Sequence, residues 1–218
     1  MAALLDMDIK QKKVNKKICI LLNNAKKKFD EFFGINLDIP EVKIIETRSE
    51  LNTIWGKKTE NWFVAGFKND IIYLLNPLSY KKESSHKQKE FFNILKHELV
   101  HFYYFNITQM HYPRWINEGL ASYLSGKTID FSKLNHKNLL NVKEYFRNSE
   151  KGVYNIGYFW VFFLIENYGK TKLISLINEL DKKDNEKKFE IKFKKIYGFG
   201  LSQTELNNEL ITLKNLNK

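Results

Sequence analysis

A chain of 218 residues, 43% hydrophobic and 15% aromatic, is long enough for one well-buried domain or two small lobes sharing a cleft, and with 10 Gly and 3 Pro its composition argues against a disordered chain. The formal net charge of +11 comes from lysines, clustered at Lys10, Lys12, Lys13, Lys16 and Lys17, at Lys26 to Lys28, and at Lys192, Lys194 and Lys195. Arginines are few (Arg48, Arg114, Arg147) and no nucleic-acid-binding motif accompanies the lysines, so the charge reads as solvated helix faces rather than a nucleic-acid partner.

In chain order, the opening Met1-Ala2-Ala3-Leu4-Leu5-Asp6 lacks a basic stretch followed by a long apolar one, so a soluble, cytoplasmic protein is expected, although a trimmed secreted form would look the same. Residues 8–33 place Val14, Ile18, Leu21, Leu22, Ala25, Phe29, Phe32 and Phe33 at a 3.6-residue period, with Gly34 as a stop, which predicts a long amphipathic helix. The single cysteine, Cys19, cannot form an internal disulfide and reads as a small buried apolar residue. The β-branched run Val42 to Glu46 suggests a strand. Two further β-like runs, Asn61 to Phe67 and Ile71 to Leu75, are separated by Lys68-Asn69-Asp70, which is hairpin chemistry.

Ser85 and Gln88 predict a capping box opening a helix that runs to about Phe105. Pro113 suits the start of the next helix, with Trp115, Leu120, Tyr123 and Leu124 inward. Gly119 inside that helix costs about 1 kcal/mol relative to alanine, so it implies close approach of another helix, or of a bound group, or a packing need. Residues 126–152 are polar and read as a loop with one short helix near Leu139 to Phe146. From Val153 the pattern turns helical, with Ile156, Phe159, Trp160, Phe163 and Leu164 on one stripe and Gly169 ending it. The apolar run Ile156 to Ile165 is too short to span a bilayer. Thr171 predicts the cap of a helix through Leu180. Another follows from about Glu186 to Tyr197, with Phe189, Phe193, Ile196 and Tyr197 buried and Gly198 as its stop. Ser202-Gln203-Thr204-Glu205 then predicts a capping box, with Leu201 against Leu206 as a hydrophobic staple.

The chemistry concentrates at His97-Glu98-Leu99-Val100-His101. Residues four apart share a helix face, so both imidazoles can aim at one point, and the carboxylate of Glu98 can reach a water there without itself being a ligand. Catalytic zinc takes three protein ligands, so a third is needed. The offsets that a metzincin would fill with glycine and histidine carry Tyr104 and Ile107 here. A glutamate on a following helix is supplied by Trp115-Ile116-Asn117-Glu118-Gly119-Leu120-Ala121, at H-E-x-x-H-x16-E spacing. His86, His111 and His136 have no ligand spacing and read as surface residues.

With the pentad and the E-G-L-A element together, the chain resembles the gluzincin metallopeptidases, in particular the small W-x-x-E-G-L-A type of the peptidase MA-like group. The resemblance covers roughly residues 60–210 by pattern, and only the two motifs are specific. It implies an α+β, zincin-like fold of one catalytic domain over 1–218. A lobe of residues 1–107 would hold the first helix, a small antiparallel sheet and the H-E-x-x-H helix; a mostly helical lobe of 108–218 would supply the third ligand. It implies one zinc ion on His97, His101 and Glu118, with Glu98 as general base of a metalloendopeptidase that cleaves peptide or protein substrates through a metal-activated water. In such families the edge strand of the sheet binds extended substrate by backbone hydrogen bonds, which points to Val64-Ala65-Gly66 near the cleft.

Family members often draw an oxyanion donor from the helix after E-G-L-A. Tyr154 or Tyr158 could serve, and Tyr154, at the mouth end, is the choice. One position departs from the pattern: many gluzincins orient a zinc histidine with a carboxylate one turn after the ligand glutamate, where this chain has Ser122, a weaker acceptor unless another takes over. The glycine-methionine-glutamate-asparagine motif of gluzincin aminopeptidases is absent from residues 40–96, which favours endopeptidase action. The competing expectation is a non-catalytic or latent zincin-like scaffold that binds a protein partner through its lysine faces. A structural role alone would not require Glu98.

Overall fold

A computed structural model describes residues 2–148, 150 and 152–216, with side chains from 16 to 212 apart from residues 149 and 151. The chain forms two compact units, 1–99 and 100–218, in an α+β arrangement.

In the first unit, α1 (Ala2–Phe33) ends at Gly34, whose φ of +71° is left-handed backbone that glycine tolerates. Ile18, Leu22, Ala25, Phe29 and Phe33 are buried, as the 3.6 period requires, while Leu21 and Phe32 are half-buried. Val14 and the lysines at 10, 12 and 13 lie outside the described side chains. Cys19 is exposed, contrary to the sequence reading, because position 19 lies about 100° round the helix from the Ile18–Leu22–Ala25 stripe.

The sheet has three strands, β1 (Glu41–Ile45), β2 (Ala65–Lys68) and β3 (Ile71–Leu75), in the order β1-β3-β2. It corrects the expected antiparallel sheet: β2 pairs antiparallel with β3, but β1 pairs parallel with it, Val42 opposite Ile72 and Ile44 opposite Leu74. A parallel partner needs a long connection. Here α2 (Arg48–Trp55), which the sequence reading missed, lies in it. Its signals were local: Thr47 Oγ1 accepts from Glu50 N, and Gly56 ends the helix at φ +66°. The hairpin turn is Asn69-Asp70, both at positive φ, as a two-residue turn between twisted strands demands. Residues 61–64 precede β2 and are not strand.

Gly66 sits inside β2 facing α2, and a Cβ there would lie 2.3 Å from the Trp55 ring, so the glycine makes room for an indole rather than for a bulge or turn. Arg48 binds the surrounding loops. Its guanidinium donates to the carbonyls of Glu60 (2.8 Å), Phe63 (2.7 Å) and Glu83 and to Thr59 Oγ1 (2.9 Å). The Glu83 carbonyl ends the short helix α3 (Tyr80–Glu83).

Helix α4 (Phe91–Thr108) follows a 3-10 turn at Gln88–Glu90 and carries the chain from the first unit into the second. Ser85 does not cap it. The acceptor is the Glu90 carboxylate, which takes the Lys87 N–H at 3.3 Å and pairs with His86 Nδ1 at 2.6 Å, and that His86 contact holds the Glu90 carboxyl below its ordinary range. His86 is half-buried, its other ring nitrogen on the Trp62 carbonyl, and is not a plain surface residue.

In the second unit, α5 (Arg114–Leu124) follows Pro113 and is packed along α7 (Val153–Tyr168). Every residue from Trp115 to Ser122 is buried, whereas Tyr123 and Leu124 are half-buried rather than inward. The short helix expected at Leu139–Phe146 is two pieces broken at Asn141: α6 (His136–Leu140), capped by Asn135, and a 3-10 turn at Val142–Tyr145. Ser149 and Lys151 of this stretch lie outside the described residues. On α7, Ile156, Trp160, Phe163 and Leu164 are buried and Phe159 is half-buried.

Helix α8 (Lys170–Glu179) starts directly after Gly169, so Thr171 is inside it and is not its cap. Helix α9 (Glu186–Tyr197) is capped by Asn185 and buries Phe189, Phe193 and Tyr197, with Ile196 half-buried. Helix α10 (Gln203–Leu216) has the predicted start: Ser202 Oγ accepts from Glu205 N at 3.3 Å, and Leu201 and Leu206 are both buried. The Glu205 carboxylate also accepts from Lys194 Nζ, Ser202 Oγ and Gly200 N, and these donors, led by Lys194, depress its pKa to about 2. A depressed carboxylate stabilises the fold above the unfolded pKa and loses that contribution as pH falls. Glu205→Gln therefore lowers the thermal midpoint at neutral pH, and the difference from the parent protein shrinks through the range from about 4.5 to about 2. Among the described residues, no helix is long and apolar enough to cross a membrane.

Candidate metal centre

Helix α4 is free of glycine and proline, so the geometry of its middle turn is set by helical spacing alone. One ligand atom from each of His97, Glu98 and His101 lies within 4.8 Å of the others, and the three residues could hold a metal ion. Glu98 is buried and the histidines are half-buried, which removes competing water from the carboxylate while leaving the imidazole edges reachable.

Within the second unit, the ring of His101 is fixed at both nitrogens. Nδ1 is 2.7 Å from Asn117 Oδ1, and Nε2 is 3.4 Å from Glu118 Oε2. The Asn117 amide has only one workable orientation, because its NH2 donates to the His111 carbonyl at 3.2 Å, which turns its oxygen toward the imidazole. An acceptor at Nδ1 keeps the proton there and leaves Nε2 with its lone pair on the side of Glu118. That is the tautomer a metal ligand needs.

Glu118 is almost wholly buried, and a buried carboxylate needs charge partners. Arg114, one turn earlier on α5, supplies one, its Nη2 donating to Oε1 at 2.5 Å. The helix that carries Glu118 is seated on α7 through Gly119 and Gly157, a Cβ at 119 falling 2.3 Å from the Gly157 carbonyl oxygen. The close approach inferred from Gly119 is therefore to another helix.

Ser122 does not take the orienting role its position suggested; its Oγ is buried and makes no hydrogen bond. Asn117 is the residue the sequence reading overlooked. No local signal marks it, since its contact with His101 depends on how α5 is seated. His111, assigned to the surface, is exposed but stacks on Phe105 at 5.0 Å. Although the residue is exposed overall, the atoms packed around its ring desolvate it and, aided by the charges of His101 and Arg114, pull its pKa down.

Tyr154 is half-buried on the first turn of α7, with Lys127 Nζ 5.7 Å from its ring centroid. Desolvation lowers the Lys127 pKa and the Glu118 carboxylate partly restores it, so this ammonium feels both the tyrosine ring and the carboxylate. Tyr158 is enclosed by aromatic rings, stacked on Phe162 and flanked by Tyr123 and Phe131, and burial raises its hydroxyl pKa. Comparison with protein-family models, curated proteins and solved structures returns no match to this chain.

Proposed function

We propose that the chain is a zinc-dependent metalloendopeptidase of the gluzincin type, with His97, His101 and Glu118 as ligands and Glu98 as the general base. The observation that carries it is the His101 ring, bound through Nδ1 to Asn117 and presenting Nε2 to Glu118, on the helix that also aligns His97 and Glu98. The donor set suits the ion: two imidazoles and one carboxylate are a common catalytic zinc set, which leaves one position for water. A zinc ion held there would supply a Lewis acid for the peptide carbonyl and a bound water of pKa near 7.

The protein does the rest. Glu98, adjacent in sequence to the first ligand and with a carboxylate oxygen within 4.8 Å of the histidine ligand atoms, takes the proton of the attacking water and returns it to the departing amine nitrogen. Tyr154 donates from its hydroxyl to the oxygen on which negative charge develops.

Protein stripped with a chelator and repleted with zinc should bind one equivalent and regain cleavage of an unstructured protein such as casein. Absence of stoichiometric binding removes the reading. Binding without cleavage favours the scaffold instead. Asn117→Ala removes the acceptor that orients His101, and zinc affinity, read by chelator competition, should fall about 10- to 100-fold.

A further inference from the structure

The two oxygens of Glu118 face different groups. Oε2 lies 3.4 Å from His101 Nε2, while Oε1 accepts from the Arg114 guanidinium at 2.5 Å. The arginine is held at its other end, since its backbone N–H donates to the Phe146 carbonyl at 2.8 Å. Its Nε–H is buried without an acceptor. A side chain one-quarter exposed could turn outward and satisfy that donor in water. It stays inward on Glu118, and an unsatisfied buried donor tolerated for the sake of one contact is a common mark of a functional constraint.

We propose that Arg114 is a positioning residue that confines Glu118 to ligation through the single oxygen Oε2; this rests on the metalloenzyme reading above. A carboxylate can offer a metal one oxygen or two. An oxygen that accepts a charge-assisted hydrogen bond has one lone pair fewer to offer, and the adjacent positive charge repels a divalent ion from that side. Oε2 is the oxygen on the side of His101 Nε2, the imidazole nitrogen that would ligate. With Oε1 withheld, the coordination position it would occupy is kept for water and for the substrate carbonyl. A guanidinium suits the task because it stays protonated at every pH at which imidazoles can ligate.

Zinc-edge X-ray absorption of the zinc-loaded protein should give four light-atom neighbours, and five with a two-oxygen carboxylate would overturn the proposal without any variant. In cobalt-substituted protein, Arg114→Met should weaken the visible absorption per bound ion, as an added oxygen raises the coordination number, and lower kcat at least 10-fold, whereas Arg114→Lys should restore most of the spectrum. An Arg114→Met protein with the parent's cobalt spectrum and kcat also overturns it. Should the parent bind neither zinc nor cobalt, the metalloenzyme reading fails first, and these experiments show that separately.

Discussion

Gly119→Ala, the smallest side chain that can be added, should lower the thermal midpoint by roughly 4–8 °C and loosen metal binding with it. A Cβ at 119 would sit 2.3 Å from the Gly157 carbonyl oxygen, 2.5 Å from its carbon and 2.8 Å from Val161 Cγ2. The reciprocal contact is as tight, a Cβ at 157 falling 2.2 Å from the Trp115 carbonyl oxygen. The first two neighbours are backbone, so no rotamer change relieves them and α5 must move off α7.

Alanine is the better helix former by about 1 kcal/mol, which works in the variant's favour. Overpacking costs typically 1–3 kcal/mol and occasionally more, and rigid atoms at such separations place this case near about 3. The net loss of about 2 kcal/mol corresponds to that shift in midpoint for a protein of this size. Because Glu118 is the neighbouring residue, the displacement also moves its carboxylate relative to His101 Nε2. Differential scanning calorimetry and zinc titration check both parts, and an unchanged midpoint would refute the helix-contact account.

Much of the framework could be read from periodicity and stop signals. The α1 stripe, the Asn69-Asp70 hairpin, the α9 aromatic set and the Ser202 cap are local statements in which a few neighbouring residues fix the backbone. Parallel pairing was not local: β1 meets β3 across twenty-five intervening residues that include α2, and strand composition does not tell parallel from antiparallel. Cys19 shows a different failure, since an apolar neighbourhood in sequence is not one in space when successive helix residues step by about 100°. At the candidate site, i,i+4 spacing was enough to put His97 and His101 on one face. Which group orients His101 depended on how α5 turns, and that is set by two glycines nearly forty residues apart. Asn117 therefore emerges only when α5 is seated, and Ser122, chosen by position in a pattern, faces the core.

Glu98→Gln should leave zinc affinity within a few-fold of the parent and reduce peptide hydrolysis by about 10²- to 10⁴-fold, the range that positioned proton transfer contributes. The amide is close to isosteric with the carboxylate, so the buried site keeps its packing, while the group that accepts a proton is gone. Glu98 is in the same cluster as the histidines, and were it instead a permanent ligand, the substitution would weaken binding as strongly as His97→Ala does. The two roles thus predict opposite patterns: retained metal with lost turnover for a base, or both lost together for a ligand. The scaffold reading predicts a third, in which parent and variant bind zinc alike and neither cleaves. Isothermal titration with zinc beside a fluorogenic peptide-library assay separates the three. Retained turnover in a zinc-loaded Glu98→Gln protein would remove Glu98 from the proton path.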